Sequence, residues 1–459
     1  MMDRINKYNV FEINKIYLEP EAPFDRLVPK SFQHTSFLYC LLFSILRIIK
    51  NLLICIVVPP LEYKFARWEK YSHFYDKTIL FRLPTLNNRR SLLKVIEKIK
   101  KERLNVKIVE KELEYDTYPL LRMGLVSLSK LPVFWRGYYS LQHRERRIVN
   151  YFMADFIYTP GVVWFYNKML NKYKPECVVL ANDHSFSTKP LELLCENYGV
   201  PCVYVQHASV SDAFPELHFS HSFLDGLDAL QKYSSKDKHS KGFIFLLGAA
   251  RFDDLGKYRK SRDNHVRKCL GICVNRLDDN TIVDEVCVAF LQHFPEWHIK
   301  VRMHPSMKSS PFTFTNKDKI IYTCATDETM IEYLDSIDLQ VANDSSVHLD
   351  AILGGVHTIA YNFSMNSYGD NYGYVKNKLL LLAENVKQLC DYIGDGNLPL
   401  IDRSKVRYYD ESYEKKYSGN ISEIIADFII NGLKVDNLFA NYNIEKKSIG
   451  ECEYYIFNE

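Results

Sequence analysis

The chain has no Cys-x-x-Cys pair, no marked excess of either charge, no internal repeat and no low-complexity tract. Each absence removes a class of function. Eleven cysteines are scattered along 459 residues. Cys269 and Cys273, four apart on an expected strand, are too few for zinc without further ligands. The cysteines therefore read as small apolar residues of a reducing compartment, and no metal site is expected. Lys and Arg number 59 against 56 Asp and Glu, a net charge of +3, and nothing resembles a nucleic-acid-binding tail. The amino-terminal residues are polar and mixed in charge, without the apolar core of a secretory leader.

Long apolar runs are scarce as well. Only residues 37–58 approach the length of a membrane span. Arg47, Lys50 and Asn51 lie near their middle, where a bilayer would make them costly. On a helical wheel these three share one side with Ser44 and leave a broad apolar face. Thr35-Ser36 would cap such a helix and Pro59-Pro60 would end it. A helix lying in the plane of a membrane surface fits better than a span, and a buried helix of the fold stays open.

What is present is an ordinary globular composition, 47% hydrophobic and 25% charged, in a chain too long for one core. Residues 1–75 read as an amino-terminal extension carrying the apolar helix. Residues 76–236 form a first strand-and-helix unit, with strands at 78–83, 106–109, 177–180 and 202–205. A basic amphipathic helix over 87–104, with Arg144, Arg146 and Arg147, is either a solvated face or a second contact with anionic lipid. Helices at 144–157 and 162–172 are separated by Thr159-Pro160-Gly161. The polar stretch 233–241 reads as a linker. Residues 242–433 form a second unit, and 434–459 a tail without clear structure.

The second unit is sharpest over residues 298–362. A strand-like alternation at 298–303 runs into His304-Pro305. Strands at 319–325, 339–342 and 356–361 alternate with helices over 327–337 and after Asn343-Asp344-Ser345-Ser346. In parallel α/β sheets ligands bind at the carboxyl ends of strands. Paired serines there offer hydroxyls and unpaired amides that suit a phosphate. Two Rossmann-like units with polar strand ends facing a cleft make the GT-B arrangement, here with an amino-terminal amphipathic helical extension.

The order Gln206-His207, Gly248-x-x-x-Phe252-Asp253, Arg302-x-His304-Pro305 and Asn343-Asp344-Ser345-Ser346-x-x-x-Asp350 resembles bacterial capsule and teichoic-acid transferases. These are the CDP-glycerol glycerophosphotransferase-like proteins and the capsule-type sialyl- and Kdo-transferases. The resemblance covers residues 175–365. It implies a donor phosphate held by His304, Ser345 and Ser346, and His207 as the acceptor base. His207-Ala208 stands where those families have His-Gly. Leu224-Asp225-Gly226 keeps one acid of the pair that sialyltransferases place before Gly.

Such a transferase must stabilise charge on a leaving phosphate and take a proton from an acceptor hydroxyl. The donor residues expected are Arg302, His304, Asn343, Ser345, Ser346 and Gly248. The acceptor base is expected at His207, with His184 of Asp183-His184 and then Asp225 as rivals. Asp344 is expected to cap the helix that follows it. Asp253-Asp254 and Asp278-Asp279 read as turn acids, so neither a metal nor a cofactor is expected beyond the donor. The function expected is transfer of a sugar or polyol phosphate from a CMP- or CDP-linked donor. The acceptor would be a surface glycan or lipid-linked glycan, reached from the cytoplasmic side by a protein peripheral to the inner membrane. A nucleotide-sugar epimerase of similar fold and a non-catalytic glycan-assembly protein are the alternatives.

Overall fold

The apolar runs of the sequence become strands buried on both faces, which is why they lack polar alternation. The computed structural model describes residues 10–14, 18, 37–57, 67, 69–72, 75, 77–102, 105–110, 118–210, 214–235, 240–261, 266–276, 278–305, 307, 317–364, 367–394 and 401–458. The expected cap Thr35-Ser36, the stop Pro59-Pro60 and residues 236–239 of the expected linker lie outside the described residues.

The strands form two sheets. The first holds β1 (Ile79–Arg82), β2 (Val106–Val109), β3 (Cys177–Leu180), β4 (Cys202–Val205), β5 (His221–Leu224) and β6 (Phe243–Leu246). The second holds β7 (Cys269–Val274), β8 (His298–Met303), β9 (Ile320–Cys324), β10 (Leu339–Ala342), β11 (His357–Tyr361) and β12 (Leu381–Ala383). A terminal hairpin of β13 (Ile444–Ile449) and β14 (Cys452–Phe457) returns to the first sheet, β14 pairing parallel with β6. The orders are β13-β14-β6-β5-β4-β3-β1-β2 and β12-β11-β10-β7-β8-β9. Strand order reverses between β1 and β3 in the first and between β7 and β10 in the second. Those are the points where such sheets open a crevice.

The helices used below are numbered in chain order. They are α1 (Phe37–Val57), α2 (Leu86–Lys101), α3 (Leu120–Ser129), α4 (Leu131–Ser140), α5 (His143–Tyr151), α6 (Met153–Lys172), α7 (Lys189–Tyr198) and α8 (Leu227–Tyr233). After β6 come α9 (Asp253–Ser261), α10 (Asn280–His293), α11 (Met330–Asp335), α12 (Val347–Leu353), α13 (Val386–Gly394), α14 (Arg403–Tyr409), α15 (Ile421–Ile430) and α16 (Val435–Asn441). Leu92, Val95, Ile96 and Ile99 of α2 pack with Ile425 and Phe428 of α15 on one face of the first sheet. α6 covers the other face with Phe165, Tyr166, Met169 and Leu170.

Three expectations need correction. The polar stretch after α8 does not divide the units, because β6 hydrogen-bonds to β5 and belongs to the first sheet. The final residues are not a loose tail: α16 and the β13–β14 hairpin complete that same sheet. Thr159-Pro160-Gly161 does not break a helix. α6 runs through Pro160, with Thr159 Oγ1 donating 2.8 Å to the Asp155 carbonyl. Nearly all faces of α6 are buried, so packing outweighs the lost backbone bond. A Cβ on Gly161 would sit 2.3 Å from the Met123 carbonyl, so this glycine lets α3 lie against α6.

Part of the basic face of α2 is paired at the surface, while Arg90, Lys100 and Lys101 stand exposed. Arg89 meets Glu110, Lys94 meets Asp254, and Lys98 meets Asp427.

Candidate active site

The two units meet through the carboxyl ends of their strands. Ser209, just beyond β4, lies 3.4 Å from the Tyr374 hydroxyl of the segment after β11. Asp350 of α12 feels the charges of Arg251 from the first sheet and Arg90 of α2.

On the first sheet, β3 ends in Asn182-Asp183-His184. Asn182 Oδ1 accepts from the amides of His184 and Ser185 at 3.2 and 2.8 Å, which fixes the turn. Asp183 is fully buried, with Oδ1 2.7 Å from His184 Nδ1 and Oδ2 accepting 2.8 Å from the Tyr233 hydroxyl. Burial alone would raise Asp183, but hydrogen bonds and charges from His184, His207 and Tyr233 hold it below the usual carboxylate range. A carboxylate on Nδ1 selects the tautomer with its proton there, leaving Nε2 as the acceptor. His184 is thus an oriented imidazole, half-buried beside Phe214.

His207 follows β4, its ring centroid 6.4 Å from that of His184. Burial pushes it down to about 4 despite the nearby Asp183 charge, and its Nδ1 has no hydrogen-bond partner. The expected leading base is thus disfavoured as a proton acceptor by burial, and it meets the Ala181 backbone rather than the carboxylate that orients His184. Asp225 is not a free base either. It forms a buried two-point ion pair with Arg251, 3.0 and 2.5 Å, and Arg251 also donates 3.3 Å to the Gln206 carbonyl. Burial raises Asp225 against the opposing pull of Arg251. Arg251 stacks over Phe252 at 4.4 Å. Sequence reading gave Arg251 no role; an arginine closing an apolar strand end was the available signal.

Gly248, expected at the donor phosphate, serves packing instead. Its φ of +98° lies in the region that favours glycine. A Cβ there would meet Ser412 Cβ at 2.5 Å. Asp410 ties the same segment down, accepting 3.1 Å from the Ala249 amide and 2.6 Å from the Ser412 hydroxyl.

On the second sheet, the loop after β10 sits at the strand-order reversal. Ser345 and Ser346 are half-buried, and their amides donate to no protein acceptor among the described residues. α12 is only seven residues long, so amides and hydroxyls matter here more than a helix dipole. Asn343 is occupied structurally. Its side-chain amide donates 2.8 Å to Asp278, and its carbonyl lies 3.0 Å from His348 Nε2. Asp344 does not cap α12; it holds the amide and side chain of Asn371 in the following loop.

His304 is exposed at the end of β8, where partial burial and the charges of Arg276 and Arg302 lower it. Arg302 turns under α11, donating 3.2 Å to the Glu328 carbonyl and lying 5.3 Å from the Tyr333 ring. It supplies field at the strand end rather than an open fork.

The paired acids have structural partners. Asp253 accepts the first amides of α15 at 2.8 and 2.9 Å, and Asp254 meets Lys94. Asp278 accepts 2.7 Å from the Asn275 amide, and Asp279 accepts 2.8 Å from the Thr281 amide at the start of α10. Asp350 stands apart. It is half-buried, and burial lifts it to about 6 against the opposing charges of Arg251, Arg302 and Arg90.

No protein-family model matches the chain, and no curated protein matches it by sequence. Among solved structures, UDP-N-acetylglucosamine 2-epimerase from Rickettsia bellii is 11% identical with a TM-score of 0.43, over 78% of this chain and 96% of that one. The calicheamicin glycosyltransferase CalG4 is 12% identical with a TM-score of 0.46, over 78% and 98%. Phytolacca americana UGT2, complexed with UDP-2fluoro-glucose and pterostilbene, is 11% identical with a TM-score of 0.45, over 77% and 99%. Likenesses this distant leave donor and acceptor to be read from the residues themselves.

Proposed function

We propose that the protein is a transferase that moves a sugar or polyol phosphate from a nucleotide-activated donor to a hydroxyl acceptor. One observation carries this reading: an oriented His–Asp pair on one sheet and, on the other, the Ser345 and Ser346 amides that no acceptor among the described residues claims, both at carboxyl strand ends. His184 Nε2 takes the acceptor proton while Asp183 stabilises the imidazolium that forms. The acceptor oxygen bonds to the transferred group, whose bond to the nucleotide phosphate breaks with its electron pair. The charge left on that phosphate meets Ser345, Ser346 and His304, within the field of Arg276 and Arg302. No metal or further cofactor is needed for these steps.

The resemblance to capsule and teichoic-acid transferases favours a CMP- or CDP-linked donor and a glycan or lipid-linked glycan acceptor. A thermal-shift panel of CMP, CDP, UDP and GDP on the wild type and on His304→Ala tests the donor side. The expected result is a rise in Tm with a cytidine nucleotide that shrinks in the variant. No rise with any of the four would overturn the donor site. Turnover of a free nucleotide sugar without an acceptor would favour an epimerase.

A further inference from the structure

We infer that α1, with its neighbours α3 and α4, is the face by which this protein lies on an anionic lipid bilayer. Water covers an unusual amount of apolar surface on α1: Leu38, Leu42, Leu46, Ile49, Leu53 and Val57 are all exposed, Leu46 by 64% and Val57 by 71%. At 100° per residue these six fall within an arc of roughly 100°. Isolated monomers seldom leave such a stripe uncovered. α3 adds exposed Leu125, and α4 adds exposed Val133 and Tyr139.

The other side of α1 is committed to the fold. It touches α3, α5 and α6, and Leu41 packs on the cluster formed by Phe134, Phe156 and Ile157. A helix held along its side in this way lies flat, and among the described residues no helix is long and apolar enough to cross a membrane. The stripe can be covered while α1 stays where it is.

Charge selects the occupant. α1, α3 and α4 contain no Asp or Glu, in a chain that holds 56 of them. They carry Arg47, Lys50, Arg122 and Arg136, of which Lys50, Arg122 and Arg136 are exposed. An acid-free apolar stripe edged by cations complements phospholipid headgroups, whereas a second copy would bring the same cations face to face. Exposed Tyr39 and Tyr139 suit the headgroup depth, where an aromatic body meets a polar tip. These helices pack on the first unit, so the bilayer would lie on the acceptor side. Lipid binding needs no turnover and therefore stands or falls separately from the transferase reading.

The test is flotation of the full chain with vesicles of phosphatidylcholine alone or mixed with phosphatidylglycerol. The wild type is expected to float with the anionic vesicles and far less with the neutral ones. Leu42→Glu/Leu46→Glu should cut binding by at least about tenfold. Lys50→Glu/Arg136→Glu should remove the preference for anionic lipid, and added salt should weaken the wild type in the same direction. Unchanged Tm, and an unchanged nucleotide-induced shift where the wild type has one, would show the variants folded. A wild type that stays unbound with both vesicles overturns the proposal. So does a wild-type dimer that Leu42→Glu/Leu46→Glu dissolves, since the stripe would then be an interface between copies.

Discussion

The strand ends of the two sheets differ in what they do with their polar groups. On the first sheet these groups are buried and satisfy one another: Asp183 with His184 and Tyr233, Asp225 with Arg251, Asp410 with Ser412 and the Ala249 amide. On the second, the serine amides after β10 donate to no acceptor among the described residues and His304 is exposed. A closed network holds one group in a fixed orientation, which proton transfer requires. An open set of donors accommodates an incoming anion. The proposed division of labour between chemistry and binding rests on that contrast.

Removing the oriented imidazole should have the largest effect. His184→Ala is expected to lower turnover by about 10²–10⁴-fold, with Asp183→Asn acting in the same direction through the lost tautomer. His207→Ala should cost much less. Equal losses at the two histidines, measured as kcat/KM, would break the contrast drawn between them.

Arg251→Met comes next and is read as stability. It leaves Asp225 buried without its partner, and such losses run to about 3–5 kcal/mol in denaturant unfolding. Asp225→Asn/Arg251→Met together should recover much of that, because no lone charge is left behind.

Gly248→Ala should cost about 1–3 kcal/mol from strain at positive φ and from the approach of Ser412, with nucleotide affinity unchanged. A selective loss of affinity would return Gly248 to the donor site.

The smallest effect concerns pH. Asp350 has its folded pKa lifted from 3.8 to about 6 by burial, so between those values the folded state holds more proton than the unfolded one. Its stabilising contribution is present below that window and falls as pH rises through about 6. The opposite holds for His348, driven down to about 4 by burial, whose contribution grows as pH rises across the window between 4 and its ordinary value of 6.5. Asp350→Asn should therefore gain on the wild type in Tm as pH is raised through that range.

Much of the fold was legible because parallel strands buried on both faces write themselves as apolar runs. The sequence bounds of β3, β4 and β10 coincide with the observed strands. The β13–β14 hairpin was not legible, since β13 is an edge strand with mostly exposed, charged residues. β6 was given to the wrong sheet because a polar, lysine-rich loop marks a surface turn as readily as a domain boundary. In the site, Asp183-His184, Ser345-Ser346 and His304 could be read from their places after strands. The ranking of the histidines could not: it depends on which imidazole meets the Asp183 carboxylate and how deeply each is buried. Likewise the Asp225–Arg251 pair joins the ends of two strands and leaves no local pattern.

The central claim is that donor binding and proton removal reside on different sheets. Calorimetric titration of the cytidine nucleotides into the wild type, His184→Ala and Ser345→Ala/Ser346→Ala, alongside turnover, tests it most directly. The account predicts wild-type nucleotide affinity with turnover lost in His184→Ala, and affinity weakened by about tenfold in the serine variant. Nucleotide binding that fails in His184→Ala yet survives intact in the serine variant would contradict it.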